Sequence, residues 1–331
     1  MSRAPLTVLK FGSSVLRSEA DLPAMVGEIG ACLEEGSRVL AVVSAIGSGT
    51  EELLSRASKL GCLPAAALEA AWSGPATPVP APFAAGEAAL AALLATGEAT
   101  SAALLGLALD LAGVPSTVLD AGRVGPFTRG PQLDAEPCAL DARAVLRALD
   151  ARPVAVLPGF VGRDDDGNFS LLGRGGSDLS ALFVARELGA SVCRLLKDVD
   201  GIYEHDPAQA GPRPRRFATL CWEHALQLDE TIVQRKAVQY AYRHRMPFEV
   251  GRCADRATVI GAPDSRFAPH ARRSTSCRAR REVITTPAAR AKIAGTGSPG
   301  TLPPRTPGAV RVAVEGRAER GNRLAERRLA S

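Results

Sequence analysis

The 331-residue sequence predicts an α/β fold: a three-layer α/β/α sandwich around a mostly parallel sheet, followed by a disordered basic C-terminal tail. Three observations carry that expectation. Apolar runs of strand length alternate with segments of helical periodicity. The runs are continuous rather than alternating, as in strands buried on both faces. The first two of them end in clusters of glycine and serine just ahead of a helix, the layout of a parallel sheet with helices on both sides.

The first run is Leu6 to Phe11, closed by Gly12-Ser13-Ser14. From Glu19 to Leu33 apolar residues recur at helical spacing, and Glu34-Glu35-Gly36 stops that helix. Val39 to Val43 is the next buried strand, and Ser44 to Gly49 lead to Thr50-Glu51-Glu52, whose acids suit a helix first turn. Ser73 to Pro82 is a Pro-rich surface excursion. Ala84 to Leu111 is an Ala/Leu-rich helical stretch with Gly97-Glu98 as a candidate break. Val114 to Leu119 and Val154 to Leu157 read as strands, and Asp164 to Asn168 as a hairpin turn between Val161 and Phe169. A helix over Leu179 to Leu188 stops at Gly189, and strand Ser191 to Leu196 follows. Helices Glu223 to Gln227 and Val233 to Arg243 and strand Pro247 to Val250 complete the body, residues 1–262. Pro/Gly/Arg composition takes over in 263–331.

Composition narrows the function classes. Aromatics are only 4% against 46% hydrophobic residues, so Ala, Val and Leu must build the core. The apolar stretches 88–94 and 102–111 are interrupted by Glu98 and Asp110 and are expected to stay short of a membrane span. The N-terminus lacks the regions of a signal peptide. Seven scattered cysteines without a C-x-x-C pair suit a reducing cytoplasm, and four histidines without ligand spacing argue against a zinc site. The pI near 9.0 comes from the tail, where residues 268–331 carry 14 basic against 4 acidic residues while 1–267 carry 26 against 31. No aromatics interleave the tail arginines, which argues for a solvated appendage and against nucleic acid.

Three motifs carry chemistry. Lys10-Phe11-Gly12-Ser13-Ser14 ends a strand, where backbone N–H groups reach phosphate oxygens and Lys10 offers a point charge to a phosphoryl group. It is not a Walker A loop, and by itself it is also what a plain turn looks like. Gly173-Arg174-Gly175-Gly176-Ser177-Asp178 opens a helix and suits anion capture, or a glycine turn capped by Ser177 or Asp178. Lys197-Asp198-Val199-Asp200-Gly201-Ile202-Tyr203-Glu204-His205-Asp206-Pro207 follows a strand at the carboxyl end of the sheet, where ligands bind in parallel α/β folds. There Asp198 suits ribose or adenine and Tyr203 a base, while Asp200-Gly201 reads equally well as a turn.

Together with Val43-Ser44-Ala45-Ile46-Gly47-Ser48-Gly49-Thr50, Gly97-Glu98-Ala99-Thr100-Ser101-Ala102 and Gly159-Phe160-Val161-Gly162, these motifs stand in the order found in the amino acid kinase family. Over residues 1–262 the chain most resembles the catalytic domain of aspartate kinases, above all the kinase-like half of chains fused to homoserine dehydrogenase. The resemblance implies transfer of the ATP γ-phosphoryl group to the side-chain carboxylate of aspartate, with Mg²⁺, at the head of lysine, threonine and methionine biosynthesis. It implies that Lys10 and Asp178 are catalytic, Lys10 stabilising the phosphoryl group. Thr50, Glu98, Arg174, Ser177 and Phe160 would hold the amino acid, with Arg174 on a carboxylate and Glu98 and Asp178 favouring its ammonium. Gly12, Ser13, Ser14, Gly47, Gly176, Lys197, Asp198, Tyr203 and Asp206 would line the nucleotide; Glu98 and Asp178 would organise the cation site, and no residue is named as a metal ligand. A homodimer and a homoserine dehydrogenase partner are implied in the same way.

The sequence departs from the pattern at definite places. Its first loop is one residue tighter than Lys-Phe-Gly-Gly-Thr-Ser, and its Gly-Ser-Ser resembles glutamate 5-kinases. The usual Thr-Asp is Lys197-Asp198, and the usual arginine after Asp-Pro is Ala208. The lysine of Gly-Ala-Lys-Val-Leu-His falls on Thr231, with Lys197, Arg235 and Lys236 as candidate replacements. No regulatory-domain pattern follows Ile260. Val310 to Val314 resembles a first Rossmann strand, but Gly316 to Gly321 has Ala318 where the middle glycine belongs, so no NAD site is expected there; a relic or truncated dehydrogenase start is the alternative to a solvated appendage. A kinase of another small carboxylate such as glutamate, and a non-catalytic kinase-like module, remain as rival readings.

Overall fold

The computed structural model describes residues 3–60, 86–207, 214–227, 232–252 and 257–269. The chain divides into two units, Met1–Pro287 and Ala288–Ser331, and every described residue lies in the first. The Ser73 to Pro82 excursion, Ala208, Thr231 and the tail features at Val310 to Val314 and Gly316 to Gly321 lie outside the described residues.

Strands β1 (Leu6–Phe11) and β2 (Arg38–Val43) flank helix α1 (Leu22–Glu34), and α2 (Gly49–Lys59) follows β2. Next come α3 (Glu87–Leu111), β3 (Ser116–Val118), α4 (Ala121–Val124), β4 (Phe127–Arg129), β5 (Glu136–Ala139), α5 (Ala142–Ala151) and β6 (Val154–Pro158). The hairpin β7 (Val161–Arg163) and β8 (Phe169–Leu171) precedes α6 (Gly176–Glu187) and β9 (Val192–Leu196). The remainder is β10 (Phe217–Leu220), α7 (Trp222–Ala225), α8 (Arg235–Arg243), β11 (Phe248–Gly251), β12 (Thr258–Ile260) and β13 (Arg266–Phe267).

Nine strands form the main sheet in the order β13-β10-β12-β11-β9-β1-β2-β6-β3. Pairing is parallel except at β11–β12 and β10–β13, so the expected mostly parallel sheet is what forms. A second, four-stranded sheet has the order β5-β4-β7-β8. The continuous apolar runs have the expected consequence. Alternate residues Val8, Leu40, Val42, Ala155 and Leu157 pack on one face with Val145, Leu149, Leu179 and Phe183 of α5 and α6. Their neighbours Leu9, Phe11, Val39, Ala41, Val43 and Val156 pack on the other with Met25, Ile29, Leu105 and Leu109 of α1 and α3.

Several expectations need correction. Gly97-Glu98 does not break α3, which runs unbroken through it. A Cβ on Gly97 would stand 3.1 Å from Ala45 Cβ and 3.4 Å from Leu53 Cδ1, so the glycine admits the loop after β2 against the helix. Nor do the apolar stretches stay short of a span. Glu87–Leu111 is a single helix of 25 residues, long and apolar enough by mean hydropathy to cross a membrane. Its buried side, which includes Glu98, packs against strands and α1, as a core helix does. Strand β13 lies past the boundary expected near Ala262 and pairs with β10. Strands β4, β5, β10 and β12, of three or four residues each, are too short to show a period, and helix α5, although amphipathic, is not among the expected elements. For α5 the signal was local: Asp141 accepts from the Ala144 N–H at 2.9 Å as N-cap, and Val145 and Leu149 stand one turn apart.

Candidate active site

The site lies at the carboxyl ends of the central strands. Lys10 is the penultimate residue of β1, in register with Val42 of β2 and Leu195 of β9. Lys197 is the first residue beyond β9. Helix α6 packs over β1 and β9 and carries Asp178 in its first turn, where the helix dipole favours a carboxylate. Asp178 Oδ1 lies 2.6 Å from Lys10 Nζ, and Oδ2 lies 2.9 Å from Lys197 Nζ. Lys10 and Asp178 are each 3% exposed. Burial pulls the Lys10 ammonium down to about 8, against the attraction of Asp178 and with some repulsion from Lys197. Burial by itself would raise Asp178, but the two lysines outweigh it and hold the carboxyl at about 2. At neutral pH Asp178 is therefore a carboxylate, with a lysine head at each of its oxygens.

Glu98 reaches the same region from α3. It is 3% exposed, and Oε1 accepts from the Ala45 N–H at 3.3 Å. Oε2 has no hydrogen-bond partner among the described residues. Burial pushes its carboxyl up to about 8, with the field of Lys10 opposing. The sequence pattern could locate Glu98, but it gave no sign of the Ala45 N–H that holds it.

The loops are fixed by small residues. Val15 and Leu16 N–H groups donate to the Gly12 carbonyl at 3.0 and 2.9 Å, making a tight turn. Ser13 on that turn is exposed, whereas Ser14 Oγ is buried without a partner among the described residues. Gly47, at φ +53, donates to the Leu16 carbonyl, and a Cβ there would stand 2.7 Å from Arg17 O. Glycine at 47 thus lets the loop after β2 lie against the loop after β1.

The start of α6 is tied to two other strand ends. Ser44 Oγ and Ser177 Oγ share a 2.8 Å hydrogen bond. The Phe160 N–H donates to Ser180 Oγ at 2.9 Å, and that hydroxyl donates to the Gly176 carbonyl at 2.9 Å. Phe160 adopts φ +66, and its ring fills the space a Cβ on Gly176 would need, 2.8 Å from Cδ2. Only 8% exposed, Phe160 supports the helix start from within the core. Ser44, Ala45 and Ser180 are participants that the candidate set did not include.

Arg174 is exposed in the turn before α6, and Thr50 is half-buried at the second position of α2. On the loop after β9, Asp198 and Asp206 are exposed, and Arg252 donates to the Asp198 carbonyl. Ile202 N–H donates to Thr258 Oγ1 at 2.9 Å and Tyr203 bridges Arg216, which anchors this loop beside β10 and β12. Lys236, a candidate replacement cation, is engaged elsewhere: Asp134 at 2.6 Å and the Leu172 carbonyl at 3.0 Å. Both oxygens of Asp178 face lysines, Lys10 and Lys197. Among the described residues no three His, Cys, Asp or Glu side chains converge on a metal position.

Residues 5–250 match the family model of the amino acid kinase family. An aspartokinase from Thermus thermophilus is 30% identical over 248 residues, which is 74% of this chain and 56% of that protein. The chain thus spans little more than half the length of the relative it matches. The crystal structure of an aspartate kinase from Synechocystis superposes with a TM-score of 0.61 at 27% identity, covering 79% of this chain and 41% of that one. Escherichia coli aspartokinase III in complex with aspartate and ADP superposes with a TM-score of 0.62 at 23% identity, covering 77% and 64%, and that likeness concerns the fold.

Proposed function

Because this chain belongs to the amino acid kinase family, we propose that it transfers the γ-phosphoryl group of ATP to the side-chain carboxylate of L-aspartate, forming 4-phospho-L-aspartate and ADP. The observation that carries the reading is the buried Lys10–Asp178–Lys197 cluster at adjoining strand ends. The relatives named aspartokinase, and the solved complex of one with aspartate and ADP, point the same way.

In this reaction the acceptor carboxylate oxygen attacks phosphorus and the bond to the bridging oxygen of ADP breaks. The acceptor is already a nucleophile, so the protein needs no general base; positioning and charge neutralisation do the catalysis. Lys10 stabilises the phosphoryl group, and Asp178 keeps its ammonium charged and aimed. Thr50, Glu98, Arg174 and Ser177 hold the amino acid, with Arg174 on its carboxylate and Glu98 Oε2, which lacks a partner among the described residues, accepting from its ammonium. Gly12, Ser13, Ser14, Gly47, Gly176, Asp198, Tyr203 and Asp206 form the nucleotide side. Mg²⁺ enters as the counterion of ATP. Among the described residues no three acidic, His or Cys side chains converge, so Mg²⁺ would be held mainly by the ATP phosphates, where it would neutralise their charge. A cytoplasmic enzyme is the setting this chemistry fits.

The test is ADP release from MgATP dependent on aspartate, with hydroxylamine trapping the acyl phosphate. Glutamate-dependent release in place of aspartate would move the assignment to a sibling kinase, which the tight Gly12-Ser13-Ser14 loop favours.

A further inference from the structure

One carboxylate receives two ammonium groups in this site, Lys10 at 2.6 Å and Lys197 at 2.9 Å. They arrive from neighbouring strands, β1 and β9, so their heads converge from adjoining strand ends. A carboxylate needs one cation for neutrality, and the second leaves the cluster with surplus positive charge. The other acids nearby do not cancel it. Burial holds Glu98 toward its neutral form, Asp198 is exposed, and Asp200 faces Arg252 at 3.8 Å. Like charges held together in a nearly dry place repel, and a further anion between them relieves that repulsion. Of the four buried polar side-chain atoms without a hydrogen-bond partner among the described residues, three belong to candidate site residues: Ser14 Oγ, Glu98 Oε2 and Asp178 Oδ1, the last ion-paired with Lys10. Within the cluster the Lys197 side chain is the more open at 14% exposed, against 4% for Lys10 and Asp178.

We propose that Lys197 is a second catalytic cation: its ammonium and that of Lys10 together take the charge of the phosphoryl group in flight, while Asp178 positions both heads. This rests on the phosphoryl-transfer reading above. The three equatorial phosphoryl oxygens lie between the two lysines as the acceptor oxygen bonds to phosphorus and the ADP oxygen departs, and neither lysine gives up a proton. The pattern that this chain resembles has threonine at this position, so the lysine is a feature of this chain.

The experiment compares wild type, Lys197→Gln and Lys197→Arg for binding of MgADP and of MgADP with aluminium fluoride, a phosphoryl mimic, and for turnover of MgATP and aspartate. Lys197→Gln is expected to bind MgADP within about threefold of wild type, to lose the extra affinity conferred by aluminium fluoride, and to fall about 100-fold in kcat. Lys197→Arg, which restores the charge, should recover part of both. A Gln variant that keeps the aluminium fluoride preference and kcat overturns the proposal, whatever its melting temperature. If that variant does not fold, labelling of Lys197 in wild type by an amine-reactive reagent decides: it must fall with MgADP and aluminium fluoride relative to MgADP alone, and unchanged labelling overturns the proposal. Wild type that shows the aluminium fluoride preference without using aspartate would sink the acceptor assignment and leave Lys197 in its role. Wild type that binds neither nucleotide form would sink both.

Discussion

A Cβ on Gly12 would stand 2.8 Å from Lys10 Nζ, so the glycine two residues on is the space in which the lysine head lies. The obstacle is the tip of a flexible side chain rather than backbone. Gly12→Ala should therefore fold with little loss of stability but displace the ammonium from Asp178. We expect a melting temperature close to wild type and kcat lower by about 100-fold, since small misplacements of a reacting group cost that much. Thermal melting beside steady-state kinetics checks both halves.

Asp178→Asn leaves Lys10 and Lys197 together with no carboxylate between them. Removing one partner of a buried ion pair costs about 3–5 kcal/mol, and here two cations lose it. Urea unfolding at pH 7 should show a loss of that size, with turnover abolished. The wild-type pair also has a sign in pH. Asp178 is depressed from 3.8 to about 2, so its contribution is complete above pH 4 and fades as pH falls toward 2.

Glu98 runs the other way. Its folded carboxyl is raised from 4.5 to about 8, so between those values the folded state binds the proton and the unfolded state does not. Stability contributed by this group is present below pH 4.5 and is lost as pH rises toward 8, at up to about 1.4 kcal/mol per pH unit. Glu98→Gln should remove that slope and unfold at equal or higher denaturant than wild type at pH 8, while aspartate KM rises. Unfolding curves at pH 5, 6.5 and 8 for both proteins measure it.

Gly159 sits where β6, β2 and α6 meet. A Cβ there would stand 2.9 Å from Ser177 Cβ, 3.0 Å from Val42 Cγ1 and 3.1 Å from Val43 O. The neighbours include backbone, which cannot step aside. Gly159→Ala should cost about 1–3 kcal/mol, as overpacking does, and lower activity by shifting the start of α6 and Asp178 with it. Denaturant unfolding and kcat measured together would show the two losses side by side; an unaffected protein would mean that α6 is not held here.

The central strands and the first-turn acid were legible because their signals are local. The run Val39 to Val43 is apolar throughout, and Asp178 follows a glycine cluster at a helix start. Helix α3 shows the opposite case: Gly97 reads as a break by propensity, but tertiary contact with Ala45 and Leu53 gives it another purpose. The pairing of Lys197 with Asp178 joins a loop after β9 to a helix 19 residues earlier, and no spacing rule encodes that distance. The Ala45 N–H on Glu98 was invisible for a different reason, being a backbone group that every residue but proline carries.

The most direct test is aspartate-dependent ADP release from MgATP, with acyl phosphate trapped by hydroxylamine, on wild type and Lys10→Ala. The account predicts turnover with aspartate in wild type and its loss in a folded Lys10→Ala. Folded wild type that turns over no small carboxylate, or Lys10→Ala that matches wild type, would contradict it.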